Sequence, residues 1–218
     1  MDNSQIRRQL IQHLESERAF GFEELPAKEE KRLNKSEALA ALEKEFHDCQ
    51  MCALSRTRTK VVFGSGNPEA ELMFVGEAPG FDEDRQGLPF VGAAGQLLTK
   101  IIQAMKLSRE KVYIANCLKC RPPGNRNPLP TEVVTCNPIL TRQIEIIRPK
   151  IICALGKFAA QTLLQSEEPI SRLRGRFFEI HQVRVMPTFH PAYLLRNPLD
   201  KKLVWQDMQK IMKELGIV

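Results

Sequence analysis

Soft sulfur donors are the first residues in this chain that could do chemistry. Cys49 and Cys52 stand as C-x2-C, Cys120 and Cys136 flank the stretch Arg121-Pro-Pro-Gly-Asn-Arg-Asn-Pro128, and Cys117 and Cys153 complete a set of six. Thiolates gathered from separated segments suit zinc or an iron–sulfur cluster. Pairing by spacing alone joins Cys49/Cys52 to Cys117/Cys120, a doubled C-x2-C zinc pattern. Cys136, in the opening turns of the next helix, competes with Cys117, and spacing does not choose between them. Cys153 falls mid-strand and reads as core. The plain alternative for the whole set is small buried hydrophobes.

Oxygen and nitrogen donors form a second group. Gly76-Glu77-Ala78-Pro79-Gly80 follows a buried apolar run, so backbone there can approach a ligand closely. The same loop continues into Asp82-Glu83-Asp84, an acidic cluster in an otherwise basic region. Carboxylates placed there suit work on a developing positive charge or on a water. Asn116 ends a strand, where its amide offers donor and acceptor to a base edge. His190, ahead of Pro191, lies on a loop. Leu194-Leu195-Arg196 is an apolar pair with a basic neighbour, either core or a wedge for stacked bases. Arg172, Arg174 and Arg176 beside Gly175 read as phosphate contacts or as a solvated turn.

These residues need a scaffold. Leu72–Gly76, Val112–Ala115 and Ile151–Leu155 are short apolar runs that read as buried strands, with helices predicted from Ala93 to Met105, from Thr131 to before Pro149, and onward from Gly156. Phe177–Ile180 and Val183–Met186 read as a hairpin, and Leu199–Leu215 as a closing helix. Strands alternating with amphipathic helices imply an α/β fold, a mostly parallel sheet covered on both faces. In such folds ligands bind beyond the carboxyl ends of the strands. Three loops start there: Glu77–Phe90, Asn116–Pro130 and Thr188–Pro198. They are expected to converge on one site.

Ahead of this lies a helical extension, residues 1–40, with apolar positions at helical spacing over 3–17. A second helix begins near Ala27 or Ser36, Ser36 its N-cap, and runs to Phe46. The main domain is expected over 41–218. Residues 1–48 hold eight Lys/Arg against eleven Asp/Glu, and the remaining 170 hold 24 against 15. A core domain with a net charge of +9 favours an anionic partner, nucleic acid first. No apolar run approaches the roughly 20 residues of a membrane span. The polar start makes a secretory signal unexpected, which points to the cytoplasm and to ligating or buried thiols over disulfides.

Taken together, the motifs resemble those of the family 4 uracil-DNA glycosylases, the iron–sulfur branch of that superfamily. The resemblance runs from about Leu42 to the last helix and rests on Cys49-x2-Cys52, Val61-Val62-Phe63-Gly64-x-Gly66-Asn67-Pro68, Gly76–Gly80, Leu88-Pro89-Phe90-Val91-Gly92, Lys119-Cys120-Arg121-Pro122-Pro123 and His190-Pro191-Ala192-Tyr193. It implies a three-layer α/β/α sandwich, a [4Fe–4S] cluster on Cys49, Cys52, Cys120 and Cys136, and release of uracil from DNA by a monomer. It places Glu77, Ala78, Phe90, Asn116 and His190 around the base, with Phe90 stacking, Asn116 reading the Watson–Crick edge and His190 bonded to O2. Superfamily relatives with Asp or Asn at the place of Ala78 use it on water; here that task passes to Glu83. Leu194 or Leu195 would fill the vacated stack, while Arg196, Arg172 and Arg174 grip phosphates.

Overall fold

The computed structural model describes residues 34–180 and 182–217, so the predicted helix over 3–17 and the hairpin residue His181 lie outside the described residues. In chain order the elements are α1 (Lys35–Phe46), β1 (Ser65–Gly66), β2 (Leu72–Gly76), α2 (Phe81–Gln86), α3 (Ala93–Ala104), β3 (Tyr113–Asn116), α4 (Pro130–Ile147), β4 (Ile151–Leu155), α5 (Gly156–Leu164), α6 (Ile170–Leu173), β5 (Phe178–Ile180), β6 (Val183–Thr188), α7 (Pro191–Arg196) and α8 (Lys201–Glu214).

Strand side chains alternate between faces, and here both faces are apolar. Met73, Val75, Tyr113, Ala115, Ile152 and Ala154 enter one core; Leu72, Phe74, Ile114, Ile151, Cys153 and Leu155 enter the other. Helices α1, α4, α5 and α6 cover the first face, and α3, α7 and α8 cover the second. This is the expected three-layer sandwich. The strand order is β1-β3-β2-β4-β6-β5, with β3, β2, β4 and β6 parallel and the two edge strands antiparallel.

The chain leaves β2 toward β3, and leaves β4 toward β6 on the other side. The connections therefore part above the carboxyl ends of β2 and β4, the position where open α/β sheets form clefts.

Helix α1 is capped by Asn34, not Ser36. The Asn34 side chain accepts the Glu37 N–H at 2.9 Å, and the Glu37 carboxylate accepts the Asn34 N–H at 3.2 Å. This reciprocal box is worth about 1 kcal/mol. The helix carries Leu39 and Leu42 into the core, so its two sides of residue 40 pack with the body. Two segments read as loops are short helices, α2 and α7. No described helix is long and apolar enough to cross a membrane.

Candidate active site and sulfur site

Register sets the first contact. Gly76 ends β2 beside Asn116, which ends β3. A Cβ on Gly76 would collide with Asn116 Oδ1 and with the Phe90 ring, so only glycine lets the amide and the ring close over the strand end. The amide of Asn116 is buried, and its Oδ1 has no hydrogen-bond partner. A buried acceptor left unpaired costs roughly 1–3 kcal/mol, so an orphan at a strand end marks a place for a ligand.

Phe90 is held under strain. Its φ of +54° is unusual for a bulky residue. Arg109 fixes it, donating to the carbonyls of Phe90 at 3.1 Å and Pro89 at 2.8 Å. A Cβ on Gly95 would overlap the Phe90 carbonyl, so that glycine is equally required. The motif drew attention to Phe90 but nothing in the sequence singled out Arg109 or Gly95.

His190 caps α7. Its Nδ1 accepts the Ala192 N–H at 3.1 Å, which leaves Nε2 as the protonated nitrogen of a neutral ring. Burial pushes its pKa down to about 4; Arg196 acts in the same sense and Glu83 opposes both. At neutral pH it is therefore an uncharged donor. Gly156, at φ +90°, leaves no room for a side chain, since a Cβ would stand 2.9 Å from His190 Cβ.

Two carboxylates border this space. Glu83 Oε1 accepts the N–H groups of Val91 and Gly92, both at 2.9 Å, and Oε2 accepts that of Gly80 at 3.1 Å. It thus ties the Gly76–Gly80 loop to the Leu88–Gly92 loop. Of the roughly four acceptor sites on a carboxylate, one on Oε2 stays free. Glu77 follows β2 directly, and burial raises its pKa to about 7. Ala78 is half-buried and packs on the first core.

The structure separates the five expected DNA-contact residues, Leu194, Leu195, Arg196, Arg172 and Arg174. Leu194 is only 1% exposed and belongs to the second core, whereas Leu195 is 47% exposed. The candidate wedge is thus Leu195, because helix periodicity turns its neighbour inward. Arg196 and Arg172 are exposed. The Gly175 N–H bonds to the Pro187 carbonyl, which keeps the Arg172–Arg176 turn at the His190 end of β6.

Arg174 does not offer a free guanidinium. It donates to Asp207 Oδ1 at 2.6 Å and to the Leu203 carbonyl at 2.7 Å, while Thr188 donates to Asp207 Oδ2 at 2.6 Å. With Asp207 1% exposed, this is a framework ion pair, and Arg174 leaves the set of DNA contacts.

Cys49, Cys52, Cys120 and Cys136 line one cavity, joined by Leu54, Val61 and Ile139. Cys117 is buried and does not line it. Arg58 donates to Cys120 Sγ at 3.5 Å, and the Lys119 N–H to Cys136 Sγ at 3.3 Å. The donor set is all sulfur, with N–H groups aimed at two of the atoms and apolar side chains among its walls. That fits a thiolate-bound centre, whose properties such contacts tune. Among the described residues no three of His, Cys, Asp or Glu converge as a single-ion site.

The chain matches the Uracil DNA glycosylase superfamily over residues 63–209. It is 46% identical to a type-4 uracil-DNA glycosylase of Archaeoglobus fulgidus, over 83% of this chain and 94% of the relative. A type-4 uracil-DNA glycosylase of Saccharolobus solfataricus is 45% identical over 79% and 84%, and one of Thermotoga maritima 42% identical over 81% and 94%. With a superfamily match across most of its length and three relatives of one type, the chain belongs to the uracil-DNA glycosylase superfamily, within its type-4 branch.

Proposed function

We propose that the protein hydrolyses the N-glycosidic bond of deoxyuridine in DNA and releases uracil, the first step of base excision repair. The observation that carries this reading is the buried, unpaired amide oxygen of Asn116 between Gly76 and Phe90, with the neutral His190 ring beyond. A pyrimidine edge supplies the donor this oxygen lacks.

Uracil inside a duplex is unreachable, so it must be extruded at a cost of a few kcal/mol. Leu195 fills the gap it leaves, and Arg196 and Arg172 hold flanking phosphates. The base stacks on Phe90, its edge on Asn116, in a pocket bordered by Glu77 and Ala78. As the bond to C1′ breaks, its electron pair passes to uracil N1 and spreads to O2. His190 Nε2–H donates to that oxygen, and being neutral it gives up no proton. The cation left on deoxyribose is stabilised by DNA phosphates and by Glu83. A water on the free site of Glu83 Oε2 adds to C1′ and loses its proton to the carboxylate, leaving an abasic sugar.

We infer that the sulfur cavity holds a [4Fe–4S] cluster on Cys49, Cys52, Cys120 and Cys136. When bound it supplies a cross-link among three segments, since binding energy at such a site is folding energy. The partner is uracil-containing DNA, met in the cytoplasm by a single chain.

Incubation with a uracil-containing oligonucleotide, then alkali, tests the activity. Strand scission at uracil alone is expected. Tight binding without scission would leave only a DNA-binding module and sink the proposal.

A further inference from the structure

Lys119 is 1% exposed, an unusual place for an ammonium group. Its Nζ donates to the main-chain carbonyl of Asn116 at 2.8 Å and to Gln143 Oε1 at 2.6 Å. Gln143 is buried too, and its Nε2 is anchored on the Phe63 carbonyl at 3.0 Å and the Tyr113 hydroxyl at 3.3 Å. The main chain of Lys119 faces the other way. Its N–H donates to Cys136 Sγ at 3.3 Å, and its carbonyl accepts the Val62 N–H at 2.8 Å. One residue thus holds a sulfur of the metal cavity with its backbone and the strand end that presents Asn116 with its side chain.

Packing alone does not call for this arrangement. Burying an ammonium is costly even when it is hydrogen-bonded, and an apolar side chain of similar length often does as well or better. The two hydrogen bonds are spent on a position. They fix the carbonyl of Asn116, and with it the backbone from which the amide projects.

We propose that Lys119 is a positioning residue that couples the sulfur site to the base-reading amide of Asn116, so that occupation of the cysteines sets the geometry of the pocket. The coupling rests on the glycosylase reading above. It gives a centre that takes no part in bond breaking a route to the rate, because a misplacement near 1 Å costs about 10²-fold.

The test uses the full-length, iron-loaded protein and its Lys119→Met variant. Three quantities are read: visible absorbance per chain, affinity for an oligonucleotide with a non-hydrolysable 2′-fluorinated deoxyuridine, and the single-turnover rate of uracil release. Wild-type colour and duplex affinity are expected together with a rate lower by about 10²-fold. In an Asn116→Ala background the same change is expected to cost almost nothing further, the non-additivity of two residues acting as a unit. A wild-type rate in Lys119→Met, a loss that only tracks missing colour, or an undiminished loss beside Asn116→Ala would each overturn the coupling. Should Lys119→Met not fold, Gln143→Leu decides. It frees Nζ on one side and leaves the sulfurs alone, and a wild-type rate with full colour would again overturn it. If the wild-type protein released no uracil, the functional reading would fail first, a result separate from these.

Discussion

The rings of Phe90 and His190 lie 5.7 Å apart, tilted by 32°, although one follows β2 and the other follows β6. Gly76 and Asn116, at the ends of β2 and β3, meet the Phe90 ring, and Gly156, just past β4, meets His190. The pocket is therefore a property of the sheet. Each wall is set by a strand end, and three glycines allow the walls to approach: Gly76, Gly95 and Gly156.

That arrangement assigns separate consequences to its two polar walls. His190→Ala and Asn116→Ala are each expected to lower single-turnover uracil release by about 10²–10³-fold, the usual cost of one preorganised hydrogen-bonding group. Unfolding midpoints serve as the control for folding. Wild-type rates in both variants would remove these residues from the site.

Stability against pH should show two opposing contributions. His190, with a pKa of about 4 against 6.5 unfolded, binds fewer protons when folded, so its contribution is full above 6.5 and declines as pH falls toward 4. Glu77, near 7 against 4.5, binds more protons when folded, so its contribution is full below 4.5 and declines as pH rises toward 7. Over pH 4.5–6.5 they offset one another. Denaturant titrations of Glu77→Gln should show stability rising more steeply with pH than wild type, and those of His190→Asn should show it falling. Parallel profiles for all three proteins would count against both shifts.

Leu194 and Leu195 are adjacent and should behave as opposites. Leu194→Ala removes a core side chain and is expected to cost about 2–5 kcal/mol of stability. Leu195→Ala should leave stability within about 0.5 kcal/mol yet slow release from duplex DNA more than from single strands. Equal effects on both substrates would discard the wedge.

The sequence made much of this legible and left some of it hidden, for physical reasons. Apolar runs such as Leu72–Gly76 and Ile151–Leu155 are bounded by their own turn signals, so their strands and the layer order were readable. Helices α2 and α7 are six residues each, too short for periodicity to register. The motifs named Phe90, Asn116 and His190, but not what holds them. Arg109 reaches back across α3 to Phe90, and Gln143 pairs with Lys119 across 24 positions. Contacts of that range leave no local pattern. The same holds for Arg174, whose partner Asp207 lies 33 residues away.

That ion pair gives a salt-dependence test. Each phosphate contact contributes about 0.9 to the slope of log affinity against log salt on duplex DNA. Arg196→Ala and Arg172→Ala are expected to lower the slope by about one each, while Arg174→Met leaves it unchanged. Asp207→Ala should instead cost about 3–5 kcal/mol of stability, because it strands the Arg174 charge. A reduced slope in Arg174→Met would return that residue to the DNA interface.

Cys117 and Cys136 offer the sharpest comparison of sequence with structure, since spacing ranks them alike. Cys136 lines the cavity with Cys49, Cys52 and Cys120, and accepts the Lys119 N–H; Cys117 lies buried outside it. A side chain that does not reach the cavity is a core side chain, whereas a ligand must face the bound group. Cys117→Ser should therefore keep the brown colour and iron content of the wild type and lose only packing stability. Cys136→Ser should bleach the protein and lower its unfolding midpoint by more. It should also slow uracil release, because the segment that carries Lys119 and Asn116 loses one of its two ties to α4, the other being Lys119 to Gln143. The reverse pattern, with iron lost from Cys117→Ser and kept in Cys136→Ser, would restore the doubled C-x2-C arrangement.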